Sequence, residues 1–334
     1  MTKTMRALIV PATGELQVAD VPRPEPRPGE ALVRVLACGV CTSTDWKVIN
    51  GQMPWAGPPP FVLGHESVGE VVEVGPGVTA LKPGDRVTRP VFPEGEPLGT
   101  AFGGFAEYGI VADPRAQRST ERINDYNRDR QRVIPNGLSA DATALSISLA
   151  ETASVVNALP DLSGRSVAVA GTGIAGLSLT VWAKAADAWV VTIGRRDKRL
   201  ARASLLGADA TVNSSSHDVV DATLAAAGGA IDGVLEAIGD TAFADRLARL
   251  VKPDGWLVAY GAPPSGRAFD ERWRIADVKE QDAYDHVWDG MLDGRLNAES
   301  FGMVTRPFHA VIDALHEARE GHQVKIVIRM QNSA

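Results

Sequence analysis

The stretch SVAVAGTGIAGLSLTVWAKAADAWVVTIG, residues 166–194, decides the fold of this chain. It opens with a short apolar run, passes through a glycine-rich turn, continues with an alanine-rich helical pattern and ends in a second apolar run. Strand, turn, helix and strand in this order predict a βαβ unit, in which the two strands run parallel.

The turn inside this unit carries Gly171, Gly173 and Gly176 in G-x-G-x-x-G spacing. In a dinucleotide-binding turn the first glycine makes the tight bend, the second lets the backbone approach a pyrophosphate, and the third allows close helix–strand packing. The helix that follows, with Ile174 and Ala175 in its first turn, offers N–H donors and partial positive charge to phosphate. Because the motif follows a strand and opens a helix, we predict dinucleotide binding rather than a turn without ligand.

The end of the second strand indicates which dinucleotide is bound. Folds that bind NAD(H) usually place Asp or Glu there, on the ribose 2′-OH. This chain has Gly194 instead, followed by Arg195 and Arg196. Guanidinium groups pair with a 2′-phosphate, which a carboxylate would repel. We therefore predict NADP(H) over NAD(H); Asp197 is the residue that favours NAD(H), and a plain solvated turn is the other interpretation of the two arginines.

The rest of the chain shows two different sequence patterns, one in its first part and one in its second. Helical and buried-strand patterns alternate after about residue 135, which predicts a doubly wound parallel sheet of the α/β class. The first 110 residues contain short apolar or alternating runs between proline and glycine clusters, which predicts an irregular β domain with antiparallel strands. The segment from residue 308 onward is typical of a helix followed by a strand.

Bulk composition narrows the class of protein. The chain has 334 residues, which is longer than a single hydrophobic core usually stabilises, so two domains are expected. A net charge of −7 argues against nucleic-acid binding, and no apolar run approaches the ~20 residues of a membrane span. No signal peptide is expected. Since the only cysteines are Cys38 and Cys41, we expect no disulfide scaffold and a cytoplasmic location.

Three side chains in the β-rich part suit a metal ion. Cys41 follows a strand in ACGVCTSTDW, and His65 and Glu66 lie in FVLGHESVGEVVEVGPGV. A thiolate, an imidazole and a carboxylate form a ligand set that zinc prefers, and a catalytic zinc keeps three protein ligands and one open position. Cys38 and Cys41 also form a Cys-x-x-Cys pair, but redox exchange typically needs such a pair at a helix start in a thioredoxin-like fold. We expect neither feature, and place Cys38 in the β core.

Several sequence blocks share one order with a known family. They are GVC at 39–41, GHESVGEVVEVGPGV at 64–78, KPGDRV at 82–87, GGFAEY at 103–108 and the glycine loop at 171–176. The chain thereby resembles the medium-chain dehydrogenase/reductase superfamily, in its zinc-dependent alcohol and polyol dehydrogenase branch. The Gly-His-Glu block is the most specific part, and the resemblance covers nearly the whole chain.

The resemblance implies a two-domain α/β architecture. A GroES-like irregular β catalytic domain is expected over residues 1–150, completed by residues 291–334. A Rossmann doubly wound, nucleotide-binding domain is expected over residues 151–290. It also implies a homodimer or homotetramer.

The resemblance further implies metal ligands. In the family, the cysteine and histidine that match Cys41 and His65 ligate a catalytic zinc, and the glutamate that matches Glu66 lies beside the metal and can enter its coordination sphere. The third ligand is Cys, Glu or Asp at the start of the helix leading into the nucleotide domain. Glu151 in SLAETASVVNAL is the candidate, although an ungapped alignment puts Ala150 there, in which case Glu66 completes the site. No cysteine follows Cys41, so we predict one zinc per chain and no structural zinc.

The loop after Cys41 departs from the family pattern. This branch often has Cys-x-Ser/Thr-Asp, whereas CTSTD is one residue longer. We predict that Ser43 relays the proton, with Thr44 as the alternative, and that Asp45 orients His65.

The predicted reaction is reversible hydride transfer between NADP(H) and a small-molecule alcohol or ketone, with zinc lowering the hydroxyl pKa and Ser43 passing the proton. A glutamate third ligand resembles the polyol and sugar branch, so we expect a polyol, sugar or cyclitol. Two alternatives stay open: a zinc-independent enoyl or quinone reductase of the same fold, and an NADPH-binding protein without turnover.

One segment is longer than the corresponding link in the family. Residues 112–133 interleave basic and acidic side chains: Arg115, Arg118, Arg122, Arg128, Arg130 and Arg132 with Asp113, Glu121, Asp125 and Asp129. The segment is either a solvated surface element or a wall that recognises a polar substrate. Trp46, Trp55 and Phe105 either line the substrate site or belong to the core.

Overall fold

A computed structural model describes residues 3–12, 15–53, 58–95, 98–100, 102–116, 122–264 and 266–330. The chain forms two compact units. Unit 1 comprises Met1–Ile147, Trp288–Ala298 and Met303–Ala334, and unit 2 comprises Ser148–Val287 and Glu299–Gly302. Their main boundaries fall at 147/148 and 287/288, where the sequence-based division has 150/151 and 290/291. Trp55 lies outside the described residues.

The strands are, in chain order, β1 (Thr4–Val10), β2 (Gln17–Pro22), β3 (Glu30–Gly39), β4 (Phe61–Val62), β5 (Glu66–Val74), β6 (Arg86–Thr88), β7 (Gly99–Thr100), β8 (Tyr108–Ala112), β9 (Ser166–Ala170), β10 (Trp189–Gly194), β11 (Ala210–Asn213), β12 (Ile231–Glu236), β13 (Val251–Ala259), β14 (Trp273–Ile275), β15 (Met303–Pro307) and β16 (Lys325–Arg329).

The α-helices are α1 (Thr42–Ile49), α2 (Asp125–Arg128), α3 (Ala140–Asn157), α4 (Ile174–Ala185), α5 (Asp197–Leu205), α6 (Val219–Ala227), α7 (Thr241–Leu247), α8 (Tyr284–Leu292) and α9 (Val311–Glu320), with short 3₁₀ turns at Glu280–Asp282 and Phe308–Ala310. None of the helices in the described part of the chain combines the length and apolar character that a bilayer crossing requires.

Unit 1 contains two sheets. One has the order β2-β1-β4-β7; the other has the order β15-β16-β3-β5-β6, and β8 also pairs with β3. Most pairs are antiparallel, as the sequence predicts, but β4–β7 and β15–β16 are parallel. An apolar core to which strands of both sheets contribute contains Cys38 and Phe105, both fully buried, so these two residues pack in the core. Trp46 packs partly against the same core and donates its indole N–H to the Leu315 carbonyl.

Unit 2 contains one six-stranded sheet with the order β11-β10-β9-β12-β13-β14, and every pair in it is parallel. Counted from β9, this is the 3-2-1-4-5-6 order of a Rossmann sheet. The predicted α/β, doubly wound class is therefore confirmed. The strand order reverses between β9 and β12, and ligands of such sheets bind at the carboxyl ends of the strands at this switch point.

Candidate metal centre and cofactor loop

Three of the four predicted metal-binding side chains, Cys41, His65 and Glu66, lie where three strand ends of unit 1 meet. β3 ends at Gly39, which pairs with Glu66 at the start of β5, and β16 starts at Lys325 and pairs with the end of β3. A Cβ on Gly39 would lie 2.4 Å from Oε2 of Glu66, so glycine at this position leaves the space that the glutamate occupies. Gly64, just before β5, has a φ of +103°, a conformation that favours glycine and turns the chain into His65.

Cys41, His65 and Glu66 form a compact group of donor atoms. One ligand atom from each residue lies within 4.8 Å of the others. His65 and Glu66 are buried and Cys41 is half-buried. Zn–N and Zn–S bonds of about 2.0–2.3 Å require only a small contraction of this group. The residues present therefore fit a zinc ion.

Asp45 connects two of these donors. α1 begins directly after Cys41, so Asp45 lies in its first turn and reaches back to the helix start. Its Oδ2 accepts a hydrogen bond from the Cys41 backbone N–H at 2.9 Å, and its Oδ1 lies 3.3 Å from Nδ1 of His65. Burial lowers the pKa of His65, but Asp45 and Cys41 outweigh it and raise that pKa well above its ordinary value. The carboxylate thus faces Nδ1 and leaves Nε2 for the donor group.

Lys325 is a site residue that sequence reasoning missed. Its ammonium is buried, donates to the Val40 carbonyl at 3.2 Å and forms an ion pair with Glu66. Burial lowers the pKa of Lys325, but Glu66 and its neighbours raise it above the ordinary value overall. The one available signal was a lysine at the start of the apolar strand pattern KIVIR.

Arg89 is a second residue that no motif indicates. It is buried, and its Nη1 donates to the His65 carbonyl at 2.8 Å. Gln131 donates from Nε2 to the Arg89 carbonyl at 3.0 Å. The backbone of His65 is therefore fixed from residues 24 and 66 positions further along the chain.

The proposed relay residues and Cys38 differ in their surroundings. Ser43 is exposed and accepts a hydrogen bond from the Lys47 ammonium at 2.9 Å, whereas Thr44 is half-buried and directly precedes Asp45. Cys41 caps a helix, so the expectation that no helix starts there was wrong. Burial raises the pKa of the Cys38 thiol well above its ordinary value, which makes it a poor partner for thiol exchange.

Glu151 lies on α3, in the part of that helix that belongs to unit 2. Its carboxylate accepts a hydrogen bond from the Tyr260 hydroxyl at 2.8 Å. Ala150, the other candidate position, is fully buried.

The glycine loop of unit 2 has the geometry that each glycine predicts. Gly171 has a φ of +119°, and a Cβ on Gly176 would lie 2.0 Å from the Gly171 carbonyl oxygen. Gly173 caps α4, which begins at Ile174 and Ala175. Apart from Gly173, its two chain neighbours and the local helix backbone, no heavy atom of the described residues lies within 4 Å of a Cβ built on Gly173, so the backbone there is open to a ligand.

The end of β10 explains the missing acid. A Cβ on Gly194 would lie 2.5 Å from Cγ2 of Thr172, so this position has no room for Asp or Glu. Arg195 and Arg196 are exposed beyond it. Asp197 accepts a hydrogen bond from the Asn213 side chain at 2.6 Å, which gives its carboxylate a local partner.

Arg199 is a third guanidinium at this edge, and sequence reasoning missed it. It is half-buried, and its Nη1 lies 3.5 Å from the Thr172 carbonyl oxygen in the glycine loop. Burial, together with the charge of Arg196, lowers the pKa of Arg199 to about 10. Its position one helical turn after Arg196 was the available signal.

Glu236 ends β12 on the other side of the switch point. It is fully buried, and its carboxylate accepts the backbone N–H groups of Ile238 and Gly239. Burial, which outweighs these hydrogen bonds, raises the pKa of Glu236 to about 7.

A thiolate, imidazole and carboxylate group in one unit and a dinucleotide-type glycine loop in the other define the class of zinc-binding dehydrogenases. Residues 27–118 match the family model of the alcohol dehydrogenase GroES-like domain, and residues 175–283 match that of the zinc-binding dehydrogenases. An alcohol dehydrogenase of Geobacillus stearothermophilus is 33% identical over 264 residues, which cover 75% of each chain. The chain therefore belongs to the zinc-dependent alcohol dehydrogenases of the medium-chain dehydrogenase/reductase family.

Solved structures agree on the fold. Benzyl alcohol dehydrogenase of Acinetobacter calcoaceticus superposes with a TM-score of 0.83 at 22% identity, covering 98% of this chain and 100% of that one. A zinc-binding dehydrogenase of Sinorhizobium meliloti 1021, bound to NADP, superposes with a TM-score of 0.81 at 27% identity and the same coverage.

Proposed function

We propose that this alcohol dehydrogenase transfers a hydride between NADP(H) and a small polyol, sugar or cyclitol, or the corresponding ketone. The observation that carries the proposal is the proximity of the Cys41 thiol and the His65 imidazole, the two ligands common to both versions of the site: their donor atoms lie with a Glu66 oxygen in one group, all within 4.8 Å of one another. Asp45 and Lys325 hold that group in place, as second partners do in metal sites.

One zinc per chain would be held by Cys41, His65 and a carboxylate. When bound, the zinc supplies a Lewis acid that lowers the pKa of a substrate hydroxyl. Glu66 is already paired with the Lys325 ammonium, which reduces the negative charge it offers to a cation. This pairing supports Glu151 as the third ligand, with Glu66 as the alternative.

A hydroxyl near the donor group passes the substrate proton towards solvent. Ser43 is the proposed relay because it is exposed, so its hydroxyl can pass the proton directly to water, and the Lys47 ammonium that donates to Ser43 Oγ orients this hydroxyl. Thr44 is the alternative because it directly precedes Asp45, as in the family pattern. Alanine at the true relay position lowers the hydride-transfer rate while zinc content stays at one per chain.

The preference for NADP(H) rests on the edge of the sheet after β10. Gly194 excludes an acid, and Arg195, Arg196 and Arg199 bring positive charge to the place where a 2′-phosphate would lie. The S. meliloti relative binds NADP. NAD(H) is the less favoured cofactor. A homodimer or homotetramer and a cytoplasmic location stay predictions.

Zinc-replete protein tests the function when it is given NADP⁺ or NAD⁺ and a panel of alcohols. The expected result is one zinc per chain and oxidation of secondary alcohols with NADP⁺. Zinc-free protein that reduces enones or quinones with NADPH would identify the reductase instead, and NADPH binding without turnover of any substrate would identify the non-catalytic alternative. Zinc content after Glu151→Ala and Glu66→Ala separates the two candidate third ligands.

A further inference from the structure

The arginine-rich segment is fastened to unit 1 by its own arginines. Arg122 is buried and forms an ion pair with buried Glu30 at 2.9 Å. Arg128 donates to the Ala116 carbonyl at 2.6 Å, and Arg132 donates to the carbonyls of Asp129 and Gln131. The bond from Arg122 to Glu30 ties residues 122–133, which we call the braced segment, to β3, whereas Arg128 and Arg132 bond within residues 112–133 and fix their local conformation.

The braced segment is connected to the metal centre through the side chain of Gln131. Gln131 accepts the Ala112 backbone N–H and donates to the Arg89 carbonyl. Arg89 in turn donates to the His65 carbonyl at 2.8 Å. A side chain of the segment is thus two hydrogen bonds away from a proposed zinc ligand.

A row of aromatic rings gives a second, independent connection. The Phe102 ring lies 5.2 Å from the His65 ring, centroid to centroid, at an interplanar angle of 46°. The Tyr126 ring lies 6.0 Å from the Phe102 ring at 49°. The Arg130 guanidinium lies 3.7 Å from the Tyr126 centroid. The row runs from the donor group to solvent, because His65 is buried, Phe102 is half-buried and Tyr126 is 48% exposed.

The backbone of Phe102 adopts an unusual conformation. Its φ is +74°, a region that bulky residues rarely occupy and that costs on the order of 1–3 kcal/mol. Such conformations cluster at functional sites, where the surrounding structure enforces them. The strain therefore falls on the residue whose ring touches the proposed zinc ligand.

From these contacts we infer that Phe102, which lies beside His65, and Tyr126, which lies beyond Phe102, form the substrate wall, and that this wall selects alcohols whose hydroxyl is carried on or next to a ring. The inference rests on the proposed function and narrows its substrate class. A saturated or aromatic ring presents a flat apolar face to the two rings, and such contacts stabilise by about 0.5–1.5 kcal/mol each. An open-chain polyol would instead desolvate several hydroxyls against aromatic faces, where the single Tyr126 hydroxyl is the one hydrogen-bonding group that the two rings carry.

The test compares a ring-bearing alcohol with an open-chain alcohol of equal carbon number, cyclohexane-1,2-diol and hexane-2,3-diol. In the wild type, kcat/KM should favour the ring. Tyr126→Leu should lower kcat/KM for the ring substrate about fivefold to tenfold and change the open-chain value less than twofold. Tyr126→Phe should retain the ring preference, because the wall acts through its ring face.

Tyr108→Leu is the matched control. Tyr108 also lies under a guanidinium, that of Arg23, which is 4.0 Å from its centroid. It has no described ring contact with Phe102 or His65, so its replacement should leave the ratio of the two kcat/KM values unchanged.

Amide binding gives a readout besides activity. Calorimetry measures the affinity of the zinc enzyme with reduced cofactor for cyclohexanecarboxamide, which carries a ring, and for heptanamide, which does not. The wild type should bind the ring amide more tightly, and Tyr126→Leu should abolish the difference.

The proposed wall would be overturned if Tyr126→Leu lowered kcat/KM equally for both diols. It would also be overturned if Tyr108→Leu shifted the ratio of the two kcat/KM values as much as Tyr126→Leu does. Neither result would contradict the proposed dehydrogenase activity. If Tyr126→Leu does not fold, equal binding of the two amides by the wild type overturns it instead. A wild type that oxidises no alcohol refutes the proposed function itself, and the wall with it.

Discussion

The metal centre of unit 1 and the glycine loop of unit 2 are built in opposite ways. The loop is made of backbone: Gly171, Gly173 and Gly176 lie within six consecutive residues, and each acts by lacking a side chain. The metal centre is made of side chains from distant strand ends, and further charged groups such as Lys325 hold its donors. A site made of backbone can therefore be recognised from one short motif. A site made of side chains depends on residues that are far apart in the sequence.

The largest effect is expected at the metal centre. Cys41→Ser replaces the thiolate with a hydroxyl that binds zinc poorly, so zinc content should fall from one per chain to near zero. Loss of the Lewis acid should lower kcat/KM for alcohol oxidation by at least about a thousandfold. NADPH affinity, measured by fluorescence titration, should change less than about twofold. The matched Cys38→Ala variant should keep its zinc; loss of zinc in both variants, or in neither, would contradict the assignment of Cys41.

Glu236, the buried carboxylate at the end of β12, should affect how the free energy of unfolding depends on pH. Because the pKa of Glu236 is raised from its ordinary 4.5 to about 7, the folded protein holds more protons than the unfolded chain between these values. Stability conferred by the protonated group is present below pH 4.5 and is lost as the pH rises through 7. Glu236→Gln should therefore reduce the fall in unfolding free energy between pH 5 and pH 8 by roughly 2–3 kcal/mol.

Asp232 provides the control for this experiment. Burial opposes the charged form, but Lys252 and Ser166 lower the pKa of Asp232 to about 2, so it stays ionised throughout the measured range. Asp232→Asn should leave the slope between pH 5 and pH 8 unchanged. A slope that Glu236→Gln does not alter would show that the carboxyl is ionised in the folded protein at pH 5.

Asp45 tests whether the donors of the metal centre depend on their partners. Asp45→Asn keeps an oxygen for the Cys41 N–H but removes the charge that faces Nδ1 of His65. Zinc affinity should fall by about tenfold to a hundredfold, as for other partners of ligating histidines. Competition with a chelator measures it, and unchanged affinity would mean that His65 is oriented by Arg89 and the backbone alone.

The arginines after β10 should give the smallest effect, and one confined to a single cofactor. Arg195→Ala with Arg196→Ala should weaken NADPH binding about tenfold or more and NADH binding less than about threefold, because only NADPH carries the 2′-phosphate. Arg202→Ala is the control, on helix α5 directly after these two arginines, since the Arg202 guanidinium bonds to the carbonyls of Glu299 and Ser300. Equal weakening of both cofactors would refute the phosphate assignment.

The same contrast explains what the sequence could predict. The βαβ pattern and the Gly171–Gly176 spacing predicted the parallel sheet, since both are local. Cys41, His65 and Glu66 were predicted to lie together only because their motifs resemble a family. Lys325 and Arg89 were missed because nothing near either residue indicates that it folds against Glu66 or His65.

The arginine-rich segment shows a different limit. Its charge pattern suggested that the arginines could contact a polar substrate. In the structure, Arg122 and Arg128 of the braced segment bond to other groups of the chain instead. The residue that contacts the Phe102 ring is Tyr126. A single tyrosine in a charged segment carries no sequence signal. The parallel pairing of β15 with β16 was likewise missed, because MVTRP has no clear alternation and ends in proline.

Anomalous diffraction at the zinc edge, on crystals of active and metal-replete enzyme, tests the central claim most directly. The account predicts one peak per chain, bonded to Sγ of Cys41 and Nε2 of His65. Active crystals without a peak at that position would contradict it.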